Sequence, residues 1–176
     1  MAASSVRLPR RASLPSEVRK ALSLAAGERV LVGAPDVDGR WYVGTRSALL
    51  IPNGGSYRRL AWEAIERAEW QPDDDVLVIH EVADLGEPQP RTTARLVDGA
   101  ALLRLVRERV SASVVLTRFV PVNGKRGISV IGRRAPSGSN APVEWSVQFD
   151  ATLSADDPLV RAAAERALSD ARAELG

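Results

Sequence analysis

The sequence contains no cysteine and only one histidine, His80, in a chain of 176 residues. Without cysteine the protein has no disulfide, no thiol nucleophile and no thiolate ligand for a metal ion. One histidine cannot supply the imidazole groups of a typical zinc site, and a Ser-His-Asp triad could be built only through that residue. We therefore expect no metal, no cofactor and no catalytic residue, and a fold stabilised by an ordinary apolar core.

Long apolar runs are also missing from the sequence. No stretch of 18 apolar residues occurs, which predicts that no helix spans a membrane. Arg10 and Arg11 form a pair, but polar and charged residues interrupt the apolar stretch that a twin-arginine signal requires. We expect a cytoplasmic protein.

Lysine is scarce as well, since 22 of the 24 basic residues are arginines, and the formal net charge is only +2. This skew is typical of a GC-rich genome, although arginine is also the better residue for bidentate recognition of phosphate. Hydrophobic residues make up 45% of the chain and charged residues 26%. Both values are close to the average for globular proteins, and the chain is long enough to bury a core of its own.

Residues 45–70 predict a β-hairpin followed by a third strand. Ala48 to Ile51 is an apolar run, residues 52–56 (PNGGS) suit a tight turn, and Tyr57 to Trp62 resumes an extended pattern. Further strand patterns bring the total between residues 28 and 97 to about seven. Their spacing is typical of an antiparallel sandwich or barrel.

The pattern changes from strands to a helix after Asp98. This residue is a suitable N-cap, and Leu102, Leu103, Val106 and Val110 then recur at helical spacing. The sequence predicts an amphipathic helix of about three turns whose apolar stripe packs against the preceding strands.

The last third of the chain predicts three further strands and a C-terminal helix. Residues 113–122 and 128–134 flank a hairpin loop, and residues 143–149 alternate apolar and polar side chains. The final helix begins near Pro158 and has a stripe of small and aliphatic residues at Ala163, Ala167, Leu168, Ala171 and Leu175.

We divide the chain into three parts. Residues 1–27 form a basic arm followed by a short helix, which is predicted over residues 14–24 with Ser13 or Ser16 as its cap. Residues 28–110 form a β domain with a capping helix, and residues 111–176 form a βββα extension packed on it. The predicted fold class is α+β.

The centre of the predicted β domain has a family resemblance. Thr45-Arg46 leads into Ala48-Leu49-Leu50, and after a turn Arg58-Arg59-Leu60-Ala61-Trp62 is followed by Ala64-Ile65 and Ala68-Glu69-Trp70. From Glu28 to about Val110 the chain resembles bacterial PH-like and GRAM-like domains. As a whole it is similar to small uncharacterised actinobacterial proteins that carry such a domain. The resemblance implies an antiparallel β-sandwich or partly closed barrel, capped by one helix.

The first hairpin loop departs from the pattern of lipid-binding relatives. PH domains that bind phosphoinositides resemble one another in having basic residues in and beside this loop, whereas here it offers Asp36 and Asp38, with Arg40 at its edge. Carboxylates repel a phosphorylated headgroup at close range. We expect no specific phosphoinositide binding.

The titratable residues give little indication of catalysis. His80 and Glu81 are neighbours on a predicted strand, so their side chains point to opposite faces. The run Asp73-Asp74-Asp75 could offer oxygen ligands to a hard cation, but it is more typical of a solvated turn. An enzyme that uses carboxylates such as Asp73, Glu81 or Asp84 is a third hypothesis, behind two hypotheses of binding.

Two groups of residues are candidates for binding a partner. Trp41 and Trp62 lie within or beside predicted strands, where packing in the core competes with contact to another protein. A basic surface that could attract phosphate groups would combine Arg7, Arg10, Arg11, Arg118, Lys125, Arg126, Arg133 and Arg134.

The main functional hypothesis is a non-catalytic module that binds another protein through an exposed groove or strand edge. The alternative is association with nucleic acid or a ribonucleoprotein through the basic arm and the second hairpin. The identity of the protein partner and the oligomeric state stay open at this point.

Overall fold

The computed structural model describes residues 14–136 and 141–175 of the chain. Within these two ranges the fold is α+β, with three antiparallel sheets and three α-helices, and none of the sheets closes into a barrel. In chain order the elements are α1 (Ser16–Ala21), β1 (Val30–Pro35), β2 (Trp41–Thr45), β3 (Ala48–Asn53), β4 (Ser56–Ala61), β5 (Ile65–Gln71), β6 (Val76–Glu81), β7 (Arg91–Arg95), α2 (Ala100–Ser113), β8 (Val114–Asn123), β9 (Arg126–Arg133), β10 (Glu144–Phe149) and α3 (Pro158–Leu175).

The first four strands form one sheet in the order β1-β2-β3-β4. The turn between β1 and β2 is fixed by the buried Asp36, whose carboxylate accepts hydrogen bonds from the backbone N–H groups of Asp38 at 3.0 Å and Arg40 at 2.8 Å. Gly54 and Gly55 join β3 to β4, and their positive φ angles of 53° and 85° suit a two-residue hairpin turn. Both hairpins predicted for this part of the chain are confirmed.

The next three strands form a second sheet in the order β5-β6-β7. A short 3-10 turn at Trp62–Ala64 leads into it, and the exposed residues Asp73, Asp74 and Asp75 form the turn between β5 and β6. A single bridge between Asp36 and Leu96 joins one end of the first sheet to the end of β7. The seven predicted strands are therefore present as sheets of four and three.

Helix α2 closes the core of these two sheets. Leu102, Leu105 and Val106 are buried in one cluster with residues of both sheets and with Trp62, whose side chain is fully buried. Gly44 of β2 permits this close approach, because a Cβ atom there would lie 2.4 Å from Cδ2 of Leu105. Each large aliphatic side chain buried in this way stabilises the fold by roughly 1.5 to 3 kcal/mol.

The start and the stripe of α2 differ from the prediction. Asp98 does not cap the helix: Gly99 occupies the cap position, and Asp98, one residue earlier, has a left-handed φ angle of 52°. Leu105 was absent from the predicted stripe but is buried, because it follows the buried Leu102 by three residues. Leu103 is only half-buried. The helix has 14 residues, or about four turns instead of three.

The N-terminal part of the described chain packs on the outer face of the first sheet. Leu14 and Leu22 are buried in a cluster with Val43 and Leu50, which lie on β2 and β3. The segment of residues 14–24 therefore covers apolar side chains that would otherwise face water.

The predicted caps of α1 are not observed. Pro15 occupies the N-cap position, Ser16 is already helical, and no described side chain makes a capping hydrogen bond there. Ser13 and the rest of the predicted arm, residues 1–13, lie outside the described residues.

The three predicted strands of the extension form a third sheet in the order β10-β9-β8, and α3 covers one of its faces. Ala163, Leu168 and Leu175 of the predicted stripe are only half-buried. The residues of α3 that are buried are Val160, Ala164, Ala167 and Ala171.

None of the helices in the described part of the chain is long and apolar enough to cross a membrane.

The extension has a core of its own. Ile128 and Val130 of β9 pack against α3, and this cluster shares no residue with the cluster around Trp62. Polar contacts connect the two parts: Gln148 Nε2 of β10 donates a hydrogen bond to the buried Glu66 of β5 at 3.1 Å.

Candidate interaction surface

Arg133 was predicted to lie on a basic surface, and this prediction is wrong. Its side chain is buried, with 4% of the residue exposed. The guanidinium donates hydrogen bonds to the carbonyl oxygen of Val110 and the hydroxyl of Ser113, both at 3.3 Å, and to the carbonyl oxygen of Glu66 at 2.5 Å. Burial lowers the pKa of Arg133, and the nearby charge of Glu66 opposes that shift.

The physical reason for this burial is the end of helix α2. Val110 and Ser113 belong to its last turn, where carbonyl groups have no backbone N–H partner within the helix. A cation at a helix C-terminus also interacts favourably with the helix dipole. Arg133 therefore joins α2, β5 and β9 and has a structural role.

The other predicted basic residues that the structure describes lie in different environments. Arg118 makes an ion pair with Glu174 of α3, and Arg134 is half-buried. Lys125 and Arg126 are exposed at the turn between β8 and β9. The remaining members, Arg7, Arg10 and Arg11, lie outside the described residues.

The two candidate tryptophans have different positions. Trp62 cannot contact a partner in this fold because it is fully buried, and its indole N–H donates a hydrogen bond to the carbonyl oxygen of Thr45 at 3.3 Å. Trp41 is half-buried on the outer face of the first sheet, in the cluster that contains Leu14. Partial exposure leaves only Trp41 of this pair accessible to a partner.

His80 and the candidate carboxylates do not converge on one site. His80 Nε2 lies 3.2 Å from Nη2 of Arg67 and 3.7 Å from the carboxylate of Glu69. Glu81 points elsewhere, accepting hydrogen bonds from both terminal nitrogens of Arg58 at 2.9 and 2.7 Å. Among the residues that the structure describes, no group of three or more acidic or histidine side chains could hold a metal ion.

A cleft of about 310 Å³ lies between the second sheet and the extension. Of the three candidate carboxylates, Asp84 lines this cleft, but Asp73 and Glu81 do not. The charged groups of the cleft are the carboxylates of Asp84 and Glu144 and the guanidinium of Arg172. The lining residues are Ala64, Val82, Ala83, Asp84, Val143, Glu144, Trp145 and Arg172.

The charged residues of the first hairpin loop form ion pairs with one another. The carboxylate of Asp36 is 2.8 Å from Nε of Arg40, and Asp38 is 2.6 Å from Nη2 of the same side chain. Arg40 thus sits between two carboxylates of its own loop.

Strand β8 provides a different surface. It is ten residues long and lies at one edge of the third sheet, and no described strand pairs with its free side. Side chains at odd positions along β8 are exposed and include two large apolar ones, Val115 (44% exposed) and Phe119 (55%). Even-numbered residues such as Leu116 and Val120 pack towards α3. The strand therefore combines unpaired backbone with an apolar outer face.

The other edge strands are better protected against pairing with a second chain. Charged side chains at an edge oppose the addition of another strand. β1 has no charge, but a bridge between Asp36 and Leu96 joins its end to β7. The charged residues on the remaining edge strands include Arg58 and Arg59 of β4, Arg67 and Glu69 of β5, Arg91 and Arg95 of β7, and Glu144 of β10.

Sequence reasoning found β8 as a strand but missed its exposed edge. The residues of β8 indicate a strand locally, but its position at the edge of the sheet depends on contacts that are distant in sequence.

Comparisons of the chain with protein-family models, with curated proteins and with solved structures find no significant match.

Proposed function

We propose that this chain is a non-catalytic cytoplasmic interaction module with a PH-like β domain, and that it binds proteins by strand addition at β8. The observation that carries the proposal is the free edge of β8, with the exposed apolar side chains of Val115 and Phe119. In strand addition, backbone hydrogen bonds provide affinity and alternate side chains provide specificity. β8 offers both features.

The PH-like assignment is supported by the order of the elements. A sheet of four strands is followed by a sheet of three, and the helix after them packs its apolar side into the core of both sheets. This is the order that the family resemblance implies for residues 28–110.

Nucleic-acid association has less support than protein binding. Arg133 is buried and Arg118 is paired with Glu174, so both of these members of the proposed basic surface already have partners within the chain. A binding surface for phosphate needs accessible cations.

A library of displayed random eight-residue peptides tests the proposed edge directly. Peptides selected on the full chain at high dilution should have apolar residues at alternating positions. Their affinity should fall at least about tenfold with Phe119→Lys, because a charge on the outer face of an edge strand opposes pairing. Arg126→Ala is the matched control, since Arg126 is exposed in the next strand.

Two results would contradict the proposal. One is that the selected peptides bind the wild type and Phe119→Lys equally well. The other is that they lose affinity with Arg126→Ala or with rising salt but not with Phe119→Lys, which would favour a basic surface instead.

A further inference from the structure

We infer that β8 pairs with β8 of a second copy of this chain, antiparallel and centred on Thr117, so that two three-stranded sheets join into one sheet of six strands. The inference rests on the proposed function of β8 as a binding edge. It adds the identity of the partner and the register of the contact.

The charge of β8 is compatible with self-pairing. Among its ten residues only Arg118 has an ionisable side chain, and this residue is on the side of the sheet that faces α3. There it forms an ion pair with Glu174 of its own chain. Two copies of the exposed face, which consists of Val115, Thr117, Phe119 and Pro121, therefore meet without like charges opposite each other.

Irregularities at both ends of β8 limit the length of the contact. Its register with β9 shifts between Val114 and Leu116 and again between Pro121 and Asn123. Pro121 also has no N–H group with which to extend a ladder. Bulges and prolines oppose pairing at an edge, and so the segment from Leu116 to Val120, which lies between the two shifts, is the most suitable one for a second strand.

Only certain registers keep the exposed faces of the two strands on the same side. In an antiparallel pair, exposed odd-numbered residues must lie opposite odd-numbered ones, since a slip by one residue places exposed residues opposite those that face the core. This leaves only registers in which the two-fold axis between the strands passes through a residue position and not between two residues. The candidates within the segment are those near its middle.

The register centred on Thr117 gives the most favourable pairs. Thr117 then lies opposite its own equivalent, and Val115, just outside the regular segment, lies opposite Phe119 of the other copy. Aromatic residues opposite β-branched ones and threonine opposite threonine are stabilising cross-strand pairs. Centring on Arg118 would place two arginines directly opposite each other, and centring on Phe119 would place Thr117 opposite Pro121.

Self-pairing at β8 closes with two copies. The contact is isologous, so each chain uses its single β8 and leaves no second β8 for another chain. The remaining edges are charged or bridged, as described above, and do not extend the sheet. The expected product is a dimer and not a fibre.

The oligomeric state of the full chain tests the inference. We expect a dimer by sedimentation equilibrium. Phe119→Lys should weaken it about 100-fold, because each substitution acts twice across the two-fold axis. Val37→Lys is the matched control: Val37 is exposed to 59% but lies in the first hairpin, so this variant should remain a dimer.

The absence of cysteine permits a test of register. Thr117→Cys introduces the only thiol of the chain, so a short cross-linker with two thiol-reactive groups can join only two copies. We expect efficient linkage at this position and also in a mixture of Val115→Cys with Phe119→Cys. Thr93→Cys, on the exposed side of the charged strand β7, should remain unlinked at the same concentration.

A monomeric wild type overturns the inference, as does a dimer that Phe119→Lys leaves intact or a cross-link at Thr93 as efficient as that at Thr117. Circular dichroism identifies a variant that fails to fold. Cross-linking of Thr117→Cys leaves Phe119 in place and is therefore an independent test of the contact. A monomer whose selected peptides still require Phe119 would overturn self-pairing and leave the proposed binding edge in place.

Discussion

Glu28 lies just before β1, and its carboxylate is buried although it carries a charge. The side chain is 5% exposed, and the carboxylate accepts hydrogen bonds from the hydroxyls of Thr45, at 2.6 Å, and Ser47. Arg59 lies 3.7 Å away. Burial alone raises the pKa of Glu28, but the hydroxyls and the charge of Arg59 outweigh it, and the pKa lies below its ordinary value of 4.5.

The pH dependence of stability should reveal this carboxylate. A folded-state pKa below the unfolded one contributes stability above the unfolded value, and this contribution is lost as the pH falls through the folded value. At neutral pH we expect Glu28→Gln to be less stable by about 1 to 2 kcal/mol. The difference should shrink as the pH falls below 4.5. Urea unfolding at several pH values measures it, with the exposed Glu87→Gln as control; a difference that widens in acid would contradict the argument.

Arg133 should matter for stability and not for binding phosphate. Arg133→Met removes the donors to Val110, Ser113 and Glu66 from a buried site; the carbonyl oxygen of Val110 retains the hydroxyl of Ser113 at 2.7 Å, whereas that of Glu66 loses a charged donor. We expect a loss of about 2 to 4 kcal/mol in the free energy of unfolding. Arg126→Met removes an exposed arginine from the same strand and should change stability by less than about 0.5 kcal/mol. Equal losses in urea unfolding would show that the buried contacts contribute little.

At the scale of the element, helix α2 depends on a residue without a side chain. Gly44→Ala places a Cβ atom against Leu105, so the helix must shift or the leucine must change rotamer. We expect a destabilisation of about 1 to 3 kcal/mol. A double-mutant cycle isolates the contact: the same change should cost less in a Leu105→Ala background. Additive losses would indicate that Gly44 acts through backbone flexibility instead.

The elements with a clear side-chain period were predictable from the sequence. In the alternating strand β10 and the two long helices, apolar positions recur with the period of a strand or a helix, whereas β3 was recognised as an apolar run next to a turn. The pattern of the sequence did not predict the exposure of a residue or strand where contacts distant in the chain determine it. Arg133 is buried because the end of α2 lies beside it, and β8 is exposed because the sheet ends there.

At the scale of the whole molecule, two apolar cores are connected by a small polar joint. Glu66 of β5 is its centre: its carboxylate accepts hydrogen bonds from Gln89 at 2.7 Å and from Gln148 at 3.1 Å, and its carbonyl oxygen accepts one from Arg133. Gln148 and Arg133 belong to the extension, whereas Gln89 precedes β7. Leu85, between β6 and β7, also packs against the second core, so the joint adds directional contacts to an apolar one.

Weakening this joint should make the two parts unfold less cooperatively. Gln148→Ala leaves one oxygen of the buried Glu66 carboxylate without its donor, and we expect the extension to lose about 1 to 3 kcal/mol of protection against hydrogen exchange. Ile79 in the first core should lose less than Val130 in the second, because its own packing is unchanged. Mass spectrometry of peptides from β6 and β9 distinguishes the two.

The matched control for this measurement lies on the same strand as Glu66. Arg67→Ala breaks an exposed ion pair with Glu69, which contributes little to stability, and should leave both peptides nearly unchanged. If Gln148→Ala lowers the protection of β6 and β9 equally, the two cores form one cooperative unit and the joint is not what connects them. If only β9 is affected, the extension can open while the first core stays folded, and the edge strand β8 then belongs to the less stable part of the molecule.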